Sequence, residues 1–356
     1  MVTRVARAYG NPERDKRVMR EAGEIIARGG LVAIPTETVY GLAGNALDPR
    51  ASAKIYAAKG RPSDNPLIVH IARLEDMPYL VKEIPDSAYR LAESFWPGPL
   101  TMIMKKSDRV PYETTGGLDT VAVRFPSDPI AEEFILASGG YIAAPSANVS
   151  GRPSCTTVMH CIEDLSGRID MIIDGGEVGI GLESTIVDLT DKIPCLLRPG
   201  YIGPEKLAKV TGELDIDPAV RDIASKDLKP KAPGMKYRHY APRGELTLVK
   251  GSPDAVADKI NRMTEELEKK TGNVAVIATE ENAAAYTCKN VYRIGGISDE
   301  AGIAHRLFAV LRELDDRDTE YIFSECFDTP ELGLAIMNRM KKAAGGRIID
   351  LTEEKL

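Results

Sequence analysis

Apolar positions change rhythm twice along these 356 residues. Near the start, Val18, Met19, Ala22, Ile25 and Ile26 repeat at helical spacing behind Pro12, and Gly29-Gly30 closes the run. That pattern predicts an amphipathic helix with proline in its first turn and glycine at its end. Short apolar runs then predict strands at 31–34, 67–71, 100–104, 120–125, 141–144, 170–173 and 184–189. Several are continuously apolar, as in a sheet covered on both faces. Turn signals separate them at Trp96-Pro97-Gly98-Pro99, Thr115-Gly116-Gly117, Gly175-Gly176 and Pro199-Gly200.

From about 213 to 243 the periodicity stops. Within it, 226–243 holds three prolines and six basic residues against one aspartate, a net +5. After 244 a regular alternation begins. Strands are predicted at 246–249, 274–278, 291–294 and 321–323. Helix faces run through Val256, Ile260, Met263 and Leu267, then Ile303, Leu307, Val310, Leu311 and Leu314, then 334–340. This alternation predicts a small open α/β domain with a mainly parallel sheet. The chain divides into 1–212, a linker at 213–243, and 244–356.

Composition narrows the class. The chain is 43% hydrophobic and 28% charged, with a net charge of −7. These values fit an ordinary globular protein and argue against a whole-surface nucleic-acid binder. No apolar run approaches a membrane span and the N-terminus has no signal-peptide core, so a cytoplasmic location is expected. Five cysteines without a C-x-x-C pair read as reduced thiols. Cys155, His160 and Cys161 match no common zinc spacing and lack a fourth ligand. The C-terminal half lacks G-x-G-x-x-G, so neither zinc nor NAD is expected.

The stretch from Leu31 to Ile71 is the richest in chemistry. A strand breaks at Pro35 into Thr36-Glu37-Thr38, and a helix-like run ends at Lys59-Gly60-Arg61-Pro62. Ser63-Asp64-Asn65-Pro66 then turns into a strand that holds His70. Alone, Lys59 and Arg61 read more readily as surface cations at a helix end, and His70 as a core histidine. Arg124 changes the balance, because an arginine inside an apolar strand needs an anionic partner. Ser146-Ala147-Asn148 follows a strand directly, Glu183-Ser184-Thr185 precedes one, and Arg198 ends another. Four cations (Lys59, Arg61, Arg124, Arg198) with hydroxyls of Thr38, Ser146 and Ser184 at strand ends predict a multiply charged anionic ligand. A nucleoside triphosphate qualifies, although no G-x-x-x-x-G-K-[ST] is present to hold it.

The stretches PTETVYGLAGNA, KGRPSDNPLIVHI, FWPGPLT, VAVRFP, PSANVSGRPSCTT and STIVDLT resemble the YrdC-like threonylcarbamoyl-AMP synthase family in its long form. The K-x-R and S-x-N pair stands as Lys59/Arg61 and Ser146/Asn148, and APGMKYRHYAP with the tail resembles the long form's extension. The resemblance implies a twisted mixed α/β sheet with helices, followed by a smaller open Rossmann-like α/β domain. It implies synthesis of threonylcarbamoyl-adenylate and pyrophosphate from L-threonine, bicarbonate and ATP, with Mg²⁺ carried by the ATP phosphates. A partner transferase then modifies the adenine beside the tRNA anticodon, any contact with tRNA by this chain being weak or indirect. By matched position, Thr38, His70, Arg124, Ser184 and the backbone near Ala144 correspond to the threonine pocket. Lys59, Arg61, Asn65, Thr120, Ser146, Asn148, Ser154 and Arg198 correspond to the ATP site, with Tyr237 of the linker as a lid contact.

Two other functions stay open at this point. A basic concavity that holds RNA without catalysis is disfavoured by the intact K-x-R and S-x-N residues. A carbamoyl-adenylate-forming hydrogenase maturation factor is disfavoured by the chain's length and its lack of C-x-x-C pairs.

Overall fold

The computed structural model describes residues 2–221, 239–327 and 329–352. The calls on 222–238, Tyr237 among them, therefore lie outside the described residues. Two compact units emerge: residues 2–150 with 154–221, and 151–153 with 239–352.

In the first unit β1 (Arg4–Arg7) precedes α1 (Pro12–Ala27), β2 (Val32–Ile34), β3 (Gly41–Asn45), α2 (Pro49–Lys59) and β4 (Ile68–His70). Next come α3 (Met77–Leu80), α4 (Asp86–Phe95), β5 (Leu100–Lys105), β6 (Thr120–Arg124), α5 (Pro129–Ala137) and β7 (Ile142–Ala143). The unit closes through α6 (Val158–Leu165), β8 (Met171–Asp174), β9 (Thr185–Asp188), β10 (Cys195–Arg198), α7 (Pro204–Thr211), β11 (Asp215–Ile216) and α8 (Pro218–Arg221). Its strands form one mixed sheet in the order β1-β8-β2-β3-β7-β4-β6-β5-β9-β10-β11.

Local chemistry sets the elements. The Asn11 side chain accepts the Arg14 N–H (3.0 Å) and caps α1 one residue before Pro12. The predicted face of that helix is buried. Asp48 caps α2 in the same way, and α2 ends on Gly60 at φ +61°, a left-handed turn that glycine adopts freely. Trp96-Pro97-Gly98-Pro99 is a turn in which the indole N–H donates to Leu100 O (2.7 Å). Every predicted strand forms, within a residue or two. The unpredicted β1, β3 and β11 carry little β signal: β1 alternates with arginine, β3 is glycine-rich and β11 is two residues long.

Alternation across the centre of the sheet positions the site. Leu67, Val69, Ile71, Met102, Val123 and Val187 belong to the main core. Their sequence neighbours Ile68, Ala122, Ile103 and Ile186 form a smaller apolar cluster of their own. His70 and Arg124 continue that second set by two-residue steps, so they share its face.

In the second unit β12 (Glu245–Lys250), α9 (Pro253–Glu268), β13 (Val274–Thr279), β14 (Val291–Gly295), α10 (Glu300–Asp316), β15 (Tyr321–Glu325), α11 (Gly333–Ala343) and β16 (Ile348–Asp350) follow in order. The sheet is parallel throughout, ordered β14-β13-β15-β12-β16. Three residues from earlier in the chain belong here. Arg312 Nε and Nη2 donate to Pro153 O (3.2 and 2.7 Å), and the Ala241 N–H donates to Gly151 O (2.8 Å). Tyr240 is buried in this unit at φ +64° and stacks on Phe308 with centroids 5.2 Å apart. Among the described residues no helix is long and apolar enough to cross a membrane.

Two glycines separate steric from conformational cost. A Cβ on Gly200 would lie 2.5 Å from Thr185 N and 2.8 Å from Glu183 O, whereas one on Gly60 meets nothing within 4 Å. Gly200→Ala should therefore destabilise by about 1–3 kcal/mol through overpacking against backbone. Gly60→Ala should cost about 1–2 kcal/mol through its left-handed φ alone. Urea midpoints of the two variants check this, and crystal structures should show the start of β9 displaced only in Gly200→Ala.

Candidate active site

One line of paired residues crosses six strands. Registers run Ile142–His70–Arg124–Thr101–Ile186–Arg198 over β7, β4, β6, β5, β9 and β10. Paired residues share a face, so His70, Arg124 and Thr101 stand side by side at intervals of about 5 Å. Thr101 Oγ1 is 2.8 Å from Ser184 Oγ. Arg198 donates from Nε to Ser184 O (3.0 Å) and from Nη2 to Ser184 Oγ (3.1 Å). Thus Arg198, assigned from sequence to the ATP group, is joined directly to Ser184 of the threonine group.

Burial tunes this row. His70 Nδ1 is 3.1 Å from Ile68 O, which can only accept, so the ring proton sits on Nδ1 and Nε2 is left as an acceptor. Desolvation, reinforced by Arg124, pushes its pKa down to about 3. Arg124 is 4% exposed, and its Nη2 lies 2.7 Å from Glu37 Oε2. Even so, Nε and Nη2 of Arg124 and both Glu37 carboxylate oxygens make no hydrogen bond. A buried fork with unsatisfied donors is the arrangement a carboxylate ligand completes. Thr38 is buried in the adjacent turn, its Oγ1 2.8 Å from Thr36 Oγ1.

A second group gathers toward the other end of the same strands. Lys59 Nζ donates to the carbonyls of Ser146 and Asn148, and Ser146 Oγ donates to Asn148 Oδ1 (2.5 Å). Arg61 donates from Nε to Asn65 O (3.3 Å) and from Nη2 to Pro66 O (3.1 Å). Asn65 Oδ1 is buried without a hydrogen bond. The register Ile68↔Ala122 places Thr120 level with Pro66, about 13 Å along β6 from Arg124. Ser154 Oγ donates to Glu183, one residue before Ser184. Ala144 is fixed through its N–H to Ile68 O (2.9 Å), on the path from β7 to Ser146. Burial, then the charge of Arg61, lowers the Lys59 pKa to about 7.

The sequence had not marked Glu37, Thr101 or Glu183 as site residues. Glu37 and Glu183 stand inside quoted motifs, where their charge was the available signal; Thr101 reads as an ordinary strand residue. Elsewhere, the Tyr40 hydroxyl takes up the Gly175-Gly176 turn, accepting Gly175 N–H (3.2 Å) and donating to Gly176 O (2.7 Å). His160 Nδ1 accepts the Thr156 N–H (3.2 Å). Among the described residues no group of three or more His, Cys, Asp or Glu side chains is placed to hold a metal.

A family model described as "Telomere recombination" matches residues 24–200, and one described as "Threonylcarbamoyl-AMP synthase, C-terminal domain" matches 202–345. A Pyrococcus abyssi protein named threonylcarbamoyl-AMP synthase is 50% identical over 93% of this chain and 95% of its own. A Bacillus subtilis protein of the same name is 45% identical over 92% of this chain and 93% of its own. The crystal structure of P. abyssi Sua5 complexed with L-threonine has a TM-score of 0.91 at 46% identity, covering 99% of this chain and 100% of that one. Fold and relatives together define an α/β enzyme of the nucleotidyltransferase type. The chain belongs to the threonylcarbamoyl-AMP synthase family, in the form with a C-terminal domain.

The His70 shift fixes a pH dependence. The native ring stays neutral while the unfolded one protonates below its ordinary 6.5. Its contribution is therefore full above pH 6.5 and is lost as pH falls toward 3. The stability advantage of wild type over His70→Asn should shrink by at most about 1.4 kcal/mol per pH unit in that window. Paired urea titrations from neutral pH downward measure it; a constant difference would contradict a buried, neutral His70.

Proposed function

We propose that this chain condenses L-threonine, bicarbonate and Mg-ATP into threonylcarbamoyl-adenylate, releasing pyrophosphate, for a partner transferase that modifies tRNA beside the anticodon. The supporting observation is the pairing of two polar groups on one sheet. Arg124 offers buried, unsatisfied donors at one end of β4 and β6, and the Lys59–Ser146–Asn148 cluster stands toward the other.

In this reading the threonine carboxylate takes the Arg124 fork, which a lysine's point charge cannot reproduce. The hydroxyl donates to His70 Nε2, beside Thr38. Lys59 and Arg61 offset charge on the phosphates, and Ser146 and Asn148 hold Lys59 in place through their carbonyls. The carbamate formed from amine and bicarbonate attacks the α-phosphate, and pyrophosphate departs. Positioning and charge stabilisation suffice without a covalent enzyme intermediate. Exclusion of water protects the carbamate until it is adenylated. Magnesium enters as part of the ATP substrate.

Incubation with the three substrates should yield threonylcarbamoyl-adenylate by mass detection, in the absence of RNA. One methyl group in an apolar niche is worth about 1–3 kcal/mol, so serine should be a slow substrate rather than a dead one. Arg124→Lys should lose threonine use. Absence of the adenylate, or equal use of serine, would refute the reading.

Lys59 supplies an independent check on the phosphate group. Its pKa of about 7 should rise when a polyanion arrives, so ATP binding just above neutral pH should take up as much as about one proton. The uptake should fade below pH 7, where Lys59 is already charged. Calorimetry in buffers of different ionisation enthalpy measures it, and Lys59→Arg, charged throughout, should abolish it.

A further inference from the structure

The threonine pocket assigned above contains a carboxylate that the substrate's carboxylate does not need. Glu37 reaches Arg124, yet neither of its oxygens makes a hydrogen bond, and its side chain is only 14% exposed. The other carboxylates near this row are engaged. Asp128 Oδ1 accepts the N–H groups of Ile130 (2.9 Å) and Ala131 (3.0 Å) as the cap of α5. Glu183 accepts the Ser154 hydroxyl. Backbone contacts fix the turn that carries Glu37: its carbonyl accepts the Ile180 N–H (2.8 Å), and Thr36 Oγ1 accepts the N–H groups of Thr38 (3.2 Å) and Val39 (3.3 Å).

An α-amino acid brings its ammonium one carbon away from its carboxylate. When the carboxylate occupies the Arg124 fork, the ammonium falls within reach of a group already 2.7 Å from that guanidinium. At neutral pH the ammonium has no lone pair and cannot attack carbon.

We propose that Glu37 is a catalytic residue: it holds the substrate α-ammonium and removes the proton that blocks its attack on bicarbonate. The proposal rests on the threonine-pocket reading. The steps balance as follows. The ammonium gives one proton to a Glu37 oxygen, and the freed nitrogen pair forms the N–C bond to bicarbonate. The C–OH bond then breaks, and the departing hydroxide takes a second proton from nitrogen as water. The products are the dianionic carbamate, water and one proton on Glu37, which returns to solvent. No oxidant or further reactant is required. The charged and titratable groups facing Glu37 are Arg124 on β6 and Asp128 at the start of α5, with His70 beyond Arg124.

The test follows threonine-dependent pyrophosphate release by the full-length chain, with bicarbonate and Mg-ATP, from neutral to mildly alkaline pH. Glu37→Gln keeps a hydrogen-bond acceptor and removes the base. Its turnover at neutral pH should fall by about 100-fold or more, as loss of a general base does, and recover steadily as alkaline solution deprotonates the amine unaided. Threonine affinity by calorimetry should weaken by no more than about tenfold. Glu37→Asp, which keeps the carboxylate, should be slower than wild type with an unchanged pH profile, and it carries the test if Glu37→Gln does not fold. A fall in Glu37→Gln that is equal at every pH, wild-type turnover in that variant, or alkaline recovery in Glu37→Asp would each overturn the assignment while leaving the functional reading intact. A wild-type chain without threonine-dependent pyrophosphate release would overturn both.

Discussion

The guanidinium of Arg124 is a full charge held inside a sheet, and much of the first unit is arranged around that fact. Moving such a charge out of water costs several kcal/mol unless it is paired and hydrogen-bonded. Here the charge is met by Glu37, but the hydrogen bonds are not completed. The fold therefore keeps a polar demand that a bound carboxylate would satisfy. Its neighbours share this setting. His70, its partner on β4, is held neutral by burial first and by the Arg124 charge second, with Nε2 open as an acceptor. Thr101, its partner on β5, links the row to Ser184 and through it to Arg198. The apolar cluster of Ile68, Ala122, Ile103 and Ile186 provides the dry floor beside these groups.

Arg124 was also the most legible residue of the site. An arginine within the apolar run Val121-Ala122-Val123-Arg124-Phe125 calls for an anionic partner, and that follows from sequence alone. The two-residue step that puts His70 beside it is likewise readable once both strands are placed. What sequence could not supply was register. That Arg198 meets Ser184 depends on β10 running antiparallel to β9, with an irregularity just before Arg198. Thr101 is hidden because threonine is ordinary in strands. Glu37 stood in a quoted turn motif without an assigned role, and its burial beside Arg124 gives it one. Among elements, long amphipathic helices and apolar strands were plain, whereas β3 forms from Gly-Leu-Ala-Gly-Asn because its partners accept a strand there.

The second unit shows the opposite economy of polar groups. At the carboxyl ends of its strands, where open α/β sheets offer a crevice, Glu325 accepts the Thr279 N–H and lies 2.7 Å from Asn282 Nδ2 and 3.3 Å from the Tyr286 hydroxyl. Glu300 accepts the Glu331 and Leu332 N–H groups ahead of α11. These carboxylates are engaged with their own unit. Its alternating strands and helices made the architecture easy to read from sequence, while its chemistry left no motif to find.

The small segment 151–153 gives the chain an unusual connectivity. The polypeptide leaves the first unit after Ser150, contributes three residues to the second, and is back in the first by Ser154. The two units are thus tied by two strands of covalent chain here, in addition to the stretch 222–238. After a single cut in that stretch, residues 239–352 would keep no covalent link to the rest of the chain and would be held to 151–153 by packing and hydrogen bonds alone. A gene fragment beginning near 239 would encode a second unit that lacks the Pro153 carbonyl to which Arg312 donates. The modules are distinct as packed bodies and yet not severable as lengths of sequence. Exchanging C-terminal domains between relatives therefore means exchanging a loop of the first domain with them.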